Sequence, residues 1–319
     1  MRLVTYTHER YGSDERPGIV QGDRLLDAAA LLAEQTPLDM LGLLDRGPDA
    51  LAALDEAAKR FAAEHRDALV IPPEIAVPAW EARLLAPVPR PRSLRDFYAF
   101  EQHVKTANAK RGREVPPAWY EVPVFYYAHP GTILGPEAPI PKPTATSELD
   151  FELEIACVIG RAGRDIPASE ADAHIAGYTI MNDWSARDIQ RQEMSVGLGP
   201  AKGKDFATSL GPYLVTPDEL ADRLVDGRHD LSMVARINGE EVSRGNTRDL
   251  HWTFAQMIER ASQNVELLPG DVIGSGTVGT GCILELGPDT HPWLEPGDEI
   301  ELEIDRLGRL RNVISEVKG

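Results

Sequence analysis

The sequence predicts an α+β protein, mostly β, with a small β-rich unit over residues 1–80 followed by a larger strand-rich domain over residues 81–319. After residue 81, patterns typical of strands outnumber helical ones and do not alternate with them regularly, which argues against a doubly wound parallel sheet. Six prolines between residues 72 and 91 exclude a helix there. This stretch is therefore expected to link the two units.

The N-terminal unit combines short strands with a helix. Residues 3–6 and 18–21 predict strands, and Gly22 and Asp23 predict a turn after the second one. Residues 48–65 predict an amphipathic helix. Its apolar stripe, expected to pack in the core, consists of Leu51, Leu54, Ala58 and Phe61.

In the larger domain helices are few. They are expected over residues 96–110, after Asp183, and over residues 252–264. The remaining sequence is divided by glycine and proline into short segments that predict strands and turns.

Composition narrows the range of partners. The 319 residues include 51 acids and 33 bases, and the net charge of −18 would repel nucleic acid and anionic membranes. No apolar run approaches the ~20 residues that span a bilayer, and the N-terminus lacks an apolar signal segment, so a cytoplasmic protein is expected. Cys157 and Cys282 lie in apolar runs and are expected to be buried thiols, although the sequence also permits a disulfide between them.

Two carboxylates mark the strand predicted over residues 150–160. The strand period of two places Glu152 and Glu154 side by side on one face. The second half of the segment is continuously apolar and predicts a strand buried on both faces, so these acids lie at the beginning of a buried strand. Their mutual repulsion there favours a bound cation. A solvent-facing strand edge is the alternative.

Further polar side chains follow the next predicted strand. Asp183 ends an apolar run and precedes a predicted helix, where an N-cap role would be ordinary. Arg187 and Gln190 share one face of that helix, which suits a substrate carboxylate but also a solvated surface. The glycine-rich loop that comes next offers Lys204 as a positive donor, although a plain flexible loop has the same composition.

Asp96 and His103 lie seven residues apart. In the helix predicted over residues 96–110 this spacing is two turns and places both side chains on one side. A single histidine is more often structural than catalytic, so a role for His103 depends on the groups around it.

A glycine-rich segment over residues 274–279 matches the dinucleotide-binding pattern literally. That pattern should open a helix, whereas residues 282–286 predict another strand, so nucleotide binding is rejected. The glycines are instead expected to form tight turns that present Thr277 and backbone amides to a carboxylate.

Taken together, these segments resemble the fumarylacetoacetate hydrolase superfamily over roughly residues 81–317. The most specific parts are residues 150–154, Asp-Phe-Glu-Leu-Glu, and residues 181–190, Met-Asn-Asp-Trp-Ser-Ala-Arg-Asp-Ile-Gln. The resemblance implies a layered, mostly β catalytic domain and a homodimer.

The same resemblance implies roles for individual residues. A divalent cation, Mg²⁺ first with Ca²⁺ or Mn²⁺ as alternatives, would be bound by Asp96, Glu152, Glu154 and Asp183. His103 would be the general base, Glu285 the acid that orients it, and Lys204 a further catalytic group. Positions that match substrate contacts are Arg187, Gln190, Thr277, Tyr98 and Tyr127.

The implied chemistry agrees with these residue types. An all-oxygen ligand set suits a hard divalent cation, which a 1,3-dicarbonyl can chelate through two oxygens. The cation would polarise the carbonyl and stabilise the enolate that departs when the carbon–carbon bond breaks. His103 would take a proton from the attacking water, and Lys204 would stabilise the oxyanion or help to protonate the leaving carbon. The predicted function is hydrolysis of a carbon–carbon bond in a small β-diketo acid.

Other reactions occur on the same fold, and one position helps to separate them. Short acylpyruvase and decarboxylase types place a glutamate three residues after the active-site histidine, where this sequence has Thr106. His103 is therefore expected to depend on Glu285, as in the hydrolases. The alternatives are oxaloacetate decarboxylation, isomerisation or hydration of a 2-oxo acid, and a metal-bound scaffold that binds an oxo acid without turnover.

Overall fold

The computed structural model describes residues 1–65 and 72–316. The described part contains seven α-helices and 23 strands joined by turns and 3₁₀ helices. The α-helices are α1 (Ala28–Leu31), α2 (Met40–Asp45), α3 (Pro48–Glu64), α4 (Glu101–Lys110), α5 (Arg187–Val196), α6 (Phe254–Ser262) and α7 (Ile283–Leu286). The strands are β1 (Arg2–Thr7), β2 (Arg16–Gln21), β3 (Arg24–Asp27), β4 (Ala76–Pro78), β5 (Arg83–Leu84), β6 (Leu94–Phe97), β7 (Phe125–Ala128), β8 (Ile133–Leu134), β9 (Pro139–Pro141), β10 (Leu149–Asp150), β11 (Leu153–Ile159), β12 (Gly163–Arg164), β13 (Ile175–Asp183), β14 (Ser185–Ala186), β15 (Thr208–Val215), β16 (Leu224–Val225), β17 (Arg228–His229), β18 (Ser232–Ile237), β19 (Glu240–Asn246), β20 (Glu266–Leu267), β21 (Val272–Gly274), β22 (Glu299–Ile304) and β23 (Gly308–Ser315).

The largest sheet is mixed and contains 12 strands. Its main order is β4-β3-β2-β1-β15-β13-β11-β21-β6-β7, with β5 beside β1 and β8 beside β15. The N-terminal strands join it through β1, where Leu3 is opposite Leu214 of β15. The strands before residue 80 thus extend the central sheet. The predicted division into two domains at that residue stays a prediction, and its C-terminal limit at residue 319 lies outside the described residues.

The central sheet is covered on both faces. A five-stranded sheet, in the order β19-β18-β22-β23-β9, shares one apolar core with it, and the N-terminal helices share a second. Strand β11 shows this directly, since Ile155 and Cys157 lie in the first core and Ala156 and Val158 in the second. This confirms that the second half of the strand is buried on both faces. The α+β, mostly β prediction is confirmed as well.

Helix α3 has the predicted extent and the predicted buried stripe. It begins with Pro48, whose fixed φ and missing N–H suit the first turn of a helix. All four residues of the stripe are buried: Leu51, Leu54, Ala58 and Phe61. Among the residues described, none of the helices combines the length and the hydropathy that a bilayer crossing needs.

The helix predicted over residues 96–110 is wrong at its beginning. Asp96 lies on strand β6, which pairs with β21 and β7, and the helix begins only at Glu101. Leu94 and Phe97 are buried within the sheet, so pairing and burial decide the conformation there. Asp96 and His103 therefore do not share a helix.

The strand predicted over residues 282–286 is also wrong, because this segment is the short helix α7. The backbone amides of Ile283 and Leu284, at the helix N-terminus, donate to the Asp150 carboxylate at 2.7 and 3.0 Å. A distant side chain thus satisfies amides that the helix leaves free. The helix has a single turn and begins well after the glycines of residues 274–279, so the rejection of nucleotide binding does not depend on the wrong strand.

Asp183 does not have the N-cap role that its position suggested. It is the last residue of β13, and Ala186 occupies the N-cap position of α5. The carboxylate of Asp183 is thus free of the helix and belongs to the end of a buried strand.

Candidate active site

Four carboxylates meet where neighbouring strands of the central sheet end. Asp96 lies on β6, Glu154 on β11 and Asp183 at the end of β13, while Glu152 directly precedes β11. One oxygen from each lies within 4.8 Å of the others, and none of the four residues is more than 5% exposed. The predicted set of acids, distant in the chain, is therefore brought together by strand pairing.

Two glycines make this approach possible. Gly274 lies on β21 between β11 and β6, and a Cβ there would be 2.6 Å from Oδ1 of Asp96. Gly276 has a φ of +77°, and its N–H points to both Asp96 Oδ1 and Glu154 Oε2 at 3.1 Å. The predicted contact of a backbone amide with a carboxylate is thus present for Gly276, and the carboxylates are those of the protein itself. The hydroxyl of Thr277 donates instead to the Leu153 carbonyl at 3.3 Å, so its contact with a substrate carboxylate stays a prediction.

Among the described residues, the cations Lys204 and Arg187 form hydrogen bonds with only two of the four acids, Glu152 and Asp183. Lys204 Nζ is 2.7 Å from Oε2 of Glu152 and 2.6 Å from Oδ2 of Asp183. Arg187 binds the same glutamate from the other side and also Asp150, both at 2.8 Å. Two cations do not neutralise the five carboxylates that surround them.

The pKa values follow this uneven compensation. Burial would raise the pKa of Glu152, but Lys204 and Arg187 outweigh it and hold that pKa at about 2. Burial and the charge of Asp183 raise the pKa of Asp96 well above its ordinary value. The pKa of Glu154 is raised as well, by burial and by Asp96.

The donor set fits a divalent cation. Within the described part of the chain, Glu154 Oε1 and Asp183 Oδ1 are buried and have no hydrogen-bond partner. Unpaired buried carboxylate oxygens are costly, and four converging carboxylates with no sulfur ligand form the kind of site that a hard cation prefers. The orphaned oxygens are the observation that supports a cation here.

His103 and Glu285 form a buried pair beside this cluster. Nδ1 of His103 bonds to Oε1 of Glu285, which comes from α7. The Cys282 thiol lies 3.8 Å from the same oxygen, and burial raises its pKa, so it acts as a neutral donor. Both cysteines are free and buried. Thr106, at the position where short acylpyruvase types have a glutamate, donates its hydroxyl to the backbone carbonyl of Gln102 and not to His103. The acid that contacts the histidine is Glu285, as predicted.

A cavity of about 260 Å³, which we call the inner cavity, connects these groups. Of the residues predicted from the sequence, its wall includes Asp96, Tyr98, His103, Glu152, Arg187, Gln190, Lys204 and Thr277. Glu154, Asp183 and Glu285 lie behind this wall. The edge of the Tyr98 ring contacts His103, with centroids 5.1 Å apart.

Arg187 makes contacts that the sequence did not predict. Besides its two carboxylate partners, its Nη1 donates to Oε1 of Gln190 at 3.1 Å, so much of its hydrogen-bonding capacity is used within the protein. The structure shows that it positions Glu152. Its role as a ligand of a substrate carboxylate stays a prediction.

Tyr127 does not line the inner cavity. It is 63% exposed and stacks with the Arg95 guanidinium, whose Cζ is 5.2 Å from the ring centroid. Tyr126 takes its place and donates to Oδ2 of Asp183 at 2.5 Å. The two tyrosines are neighbours on β7, and successive residues of a strand face opposite sides. A sequence that predicts a strand here does not say which face of the strand lines the cavity, so it leaves the choice between Tyr126 and Tyr127 open.

Two other functional side chains escaped the sequence analysis. Asp150 binds Arg187 and caps α7, although it lies within a predicted strand. Cys282, expected only to be buried, lies beside Glu285. No local pattern signals the Asp150 contacts, because the partners are more than 30 residues away. The strand predicted over residues 282–286 would place Cys282 and Glu285 on opposite faces, whereas helix α7 brings them together.

The family model described as fumarylacetoacetate hydrolase, C-terminal, matches residues 92–315. The chain belongs to this family. The resemblance inferred from the sequence is confirmed, and the family is one of enzymes.

Relatives within the family carry different names. The chain is 35% identical to the mitochondrial oxaloacetate tautomerase of Homo sapiens over 241 residues, which cover 75% of this chain and 71% of that protein. It is 30% identical to the fumarylacetoacetase of Oryza sativa subsp. japonica, covering 95% of this chain and 89% of that protein. A crystal structure of 5-carboxymethyl-2-hydroxymuconate delta-isomerase from Mycobacterium smegmatis superposes with a TM-score of 0.67 at 26% identity, covering 99% of this chain and all of that chain. Family membership alone therefore leaves the reaction open, and the cytoplasmic location and the homodimer stay predictions.

Proposed function

We propose that this protein hydrolyses a carbon–carbon bond in a β-diketo acid, with a divalent cation, Mg²⁺ first, held by Asp96, Glu152, Glu154 and Asp183. The observation that carries this proposal is the pairing of His103 with Glu285 at the same cavity as the four-carboxylate cluster. A base held by an acid next to a cation site suits the activation of water.

His103 has the position of a general base. Its Nδ1 is occupied by Glu285, which leaves Nε2 as the nitrogen that accepts a proton from water. Glu285 fixes the orientation of the ring and stabilises the imidazolium once the proton is transferred. The hydroxide then adds to the remote carbonyl carbon, the bond to the neighbouring carbon breaks, and that carbon leaves as an enolate that regains a proton.

Lys204 acts as a fixed positive charge rather than as an acid. Burial would lower its pKa, but Asp183 and Glu152 raise it above its ordinary value. The ammonium group therefore keeps its proton and can stabilise negative charge on the reacting oxygens. A divalent cation at the carboxylates would supply the same kind of stabilisation to the dicarbonyl oxygens and to the departing enolate.

The proposal is tested by turnover of 2,4-dioxoheptanoate by protein stripped with a chelator and then reloaded with Mg²⁺, Mn²⁺ or Ca²⁺. Hydrolysis should remove the diketone absorbance and release pyruvate and butyrate in equal amounts, only in the reloaded samples. Release of CO₂, or a lasting diketone spectrum with no pyruvate, would contradict it.

Tautomerisation of a 2-oxo acid is the second candidate, supported by the 35% identity to an oxaloacetate tautomerase. The same base would remove a proton from the carbon between the two carbonyl groups and return it without breaking the carbon skeleton. With enol-oxaloacetate in D₂O, fast ketonisation with deuterium incorporation and no loss of carbon would favour this candidate. Rapid decarboxylation of oxaloacetate would instead favour the alternative in which the protein is an oxaloacetate decarboxylase.

A further inference from the structure

A second group of metal-binding side chains lies beside the inner cavity, on the helices α4 and α7. A ligand atom from each of His103, Cys282 and Glu285 lies within 4.8 Å of the other two, and all three residues are buried. None of the three belongs to the four-carboxylate cluster. A nitrogen, a sulfur and an oxygen thus converge at a place where the proposed reaction uses only the histidine and the glutamate.

The helices that carry this group are held by contacts with other residues. Cys282 occupies the N-cap position of α7, but its side chain does not cap the helix. The Asp150 carboxylate accepts from the first backbone amides instead. Nζ of Lys110, at the end of α4, donates to the carbonyl of Leu284 at 2.7 Å and so joins α4 to α7. The spacing of three residues on α7 then places Cys282 and Glu285 on the same side of the helix.

Glu285 has one oxygen that the histidine does not use. Its Oε1 contacts Nδ1 of His103 and also Sγ of Cys282, the latter at 3.8 Å. Its Oε2 is buried and, within the part of the chain that the structure describes, has no hydrogen-bond partner. The side chain of Glu285 is only 1% exposed, so bulk solvent does not compensate this oxygen. A buried carboxylate oxygen without a partner is costly, and a bound cation would remove the cost.

The ligand atoms of this group differ in kind from those of the carboxylate cluster. Four carboxylates suit a hard cation such as Mg²⁺, whereas a thiolate with an imidazole and a carboxylate suits Zn²⁺ or another softer divalent cation. Zinc sites with three protein ligands and one position left for water are common. A thiolate and a carboxylate also match the double charge of the ion. The two groups therefore favour different metals.

We propose that His103, Cys282 and Glu285 form a second metal site, which binds Zn²⁺ or a similar thiophilic cation and inhibits the enzyme. Burial raises the pKa of the Cys282 thiol, so the thiol carries a proton before the ion binds. That proton passes to water when the sulfur binds the metal. Nδ1 of His103 binds the metal through its lone pair, and the neutral ring then carries its one proton on Nε2.

Inhibition follows from this change of tautomer. In the proposed reaction Nε2 of His103 accepts a proton from water, and an Nε2 that already carries a proton cannot do so. Glu285, bound to the ion, is also withdrawn from the imidazolium that it would stabilise. The inhibitory effect therefore rests on the proposed function, whereas the metal site itself does not.

Binding of Cd²⁺ tests the site without turnover, because a cysteine thiolate bound to Cd²⁺ gives an ultraviolet charge-transfer band that carboxylate ligands do not give. Protein saturated with Mg²⁺ should develop this band, and Cys282→Ala should abolish it. The matched control is Cys157→Ala, which removes the other buried free cysteine and should keep the band. His103→Ala should weaken Cd²⁺ binding by at least about tenfold, as expected for the loss of a ligand.

Absence of the band from the unaltered protein, its persistence in Cys282→Ala, or unchanged affinity in His103→Ala overturns the site. The first of these measurements does not depend on whether a variant folds. If the band appears and requires Cys282 while 2,4-dioxoheptanoate is not turned over, the metal site stands and the proposed reaction is wrong.

Inhibition is measured with 2,4-dioxoheptanoate at saturating Mg²⁺, and each variant is compared with its own rate without Zn²⁺. Cys282→Ala should weaken inhibition by Zn²⁺ more than about 100-fold, since loss of even a hydrogen-bond partner of a metal ligand typically costs about 10–100-fold in affinity. Cys157→Ala should be inhibited like the unaltered enzyme. Equal inhibition of the two variants would mean that Zn²⁺ acts at the four carboxylates, and it would overturn the inhibitory site.

Discussion

The inner cavity shares a wall with a second cavity of about 360 Å³, whose lining includes Lys110, Arg111, Arg113, Arg187 and Arg191. The two cavities differ in charge, in burial and in the elements that supply their side chains. The four acids at the inner cavity, of which Asp96 and Glu152 form part of its wall, lie on strands or directly before one and are at most 5% exposed. Arg111 and Arg113 of the second cavity, whose side chains bind no other residue in the part of the chain that the structure describes, come from the exposed turn after α4. The carboxylates thus belong to the central sheet, whereas these arginines lie on a surface turn outside the sheet.

This difference indicates how the molecule divides its tasks. Buried like charges destabilise the fold unless a cation compensates them, so their geometry must be held by strand pairing and by glycines without a Cβ. Exposed arginines cost the fold little and can be exchanged to suit another substrate. Changes in the inner cavity should therefore affect turnover and stability together, whereas changes at Arg111 or Arg113 should affect stability little.

The largest expected effect belongs to His103. His103→Ala removes the base, and kcat should fall by about 10²–10⁴ while 2,4-dioxoheptanoate still binds, because the carboxylates and the other lining residues are unchanged. Steady-state kinetics and thermal-shift titration measure the two quantities. His291→Ala, whose imidazole bonds to the Pro292 carbonyl and lines neither cavity, is the control. Activity within tenfold of the unaltered enzyme would remove the histidine from the mechanism.

Glu285 should have the next largest effect. It does not line the inner cavity and acts only through Nδ1 of His103, so Glu285→Gln should lower kcat by about 10- to 100-fold and leave KM nearly unchanged. Steady-state kinetics with 2,4-dioxoheptanoate separate the effect on kcat from the effect on KM. A rise in KM with an unchanged kcat would mean that Glu285 contacts substrate instead of orienting the base.

Much of the inner cavity could be predicted from the sequence, because two long, specific segments identify the family and contain Glu152, Arg187 and Gln190. The family resemblance then supplied the lining residues outside those segments, among them Asp96, His103 and Lys204. The predictions that were wrong concern segments whose conformation depends on contacts with residues remote in sequence. The sequence predicts a helix at Asp96 because the strands that pair with β6 are remote in sequence. It predicts a strand after Cys282 because the carboxylate that caps the helix there belongs to the distant Asp150. The second cavity gave no local signal, since its lining comes from α4, α5 and α7, which are remote from one another in sequence.

The tyrosines of β7 offer a smaller and more selective test. Tyr126→Phe removes the donor to Asp183 and should lower kcat/KM by about tenfold, as expected for a hydrogen bond to a charged group. Tyr127→Phe changes the neighbouring, exposed ring and should have no effect. Measuring both variants under the same conditions decides which tyrosine belongs to the site. An effect of the Tyr127 variant alone would reverse the assignment.

The smallest expected effect concerns stability without cation. Folding raises the pKa of Glu154, so its charged form destabilises the cation-free protein as the pH rises above the ordinary value of about 4.3. Glu154→Gln should therefore be more stable than the unaltered protein in chelator near neutral pH, by roughly 1 kcal/mol, and this advantage should vanish near pH 4. Thermal unfolding between pH 4 and 8 measures it.

Glu152 supplies the opposite control for this experiment. Its pKa of about 2 reflects its pairing with Lys204 and Arg187, a stabilising contribution that is present at neutral pH and lost only as the pH falls towards 2. Glu152→Gln should therefore destabilise the cation-free protein near neutral pH, where Glu154→Gln stabilises it. Saturating Mg²⁺ should reverse the order for Glu154→Gln, since the unaltered protein gains binding free energy that the variant loses. If both variants are less stable in chelator at every pH, the four acids do not repel one another as their geometry implies.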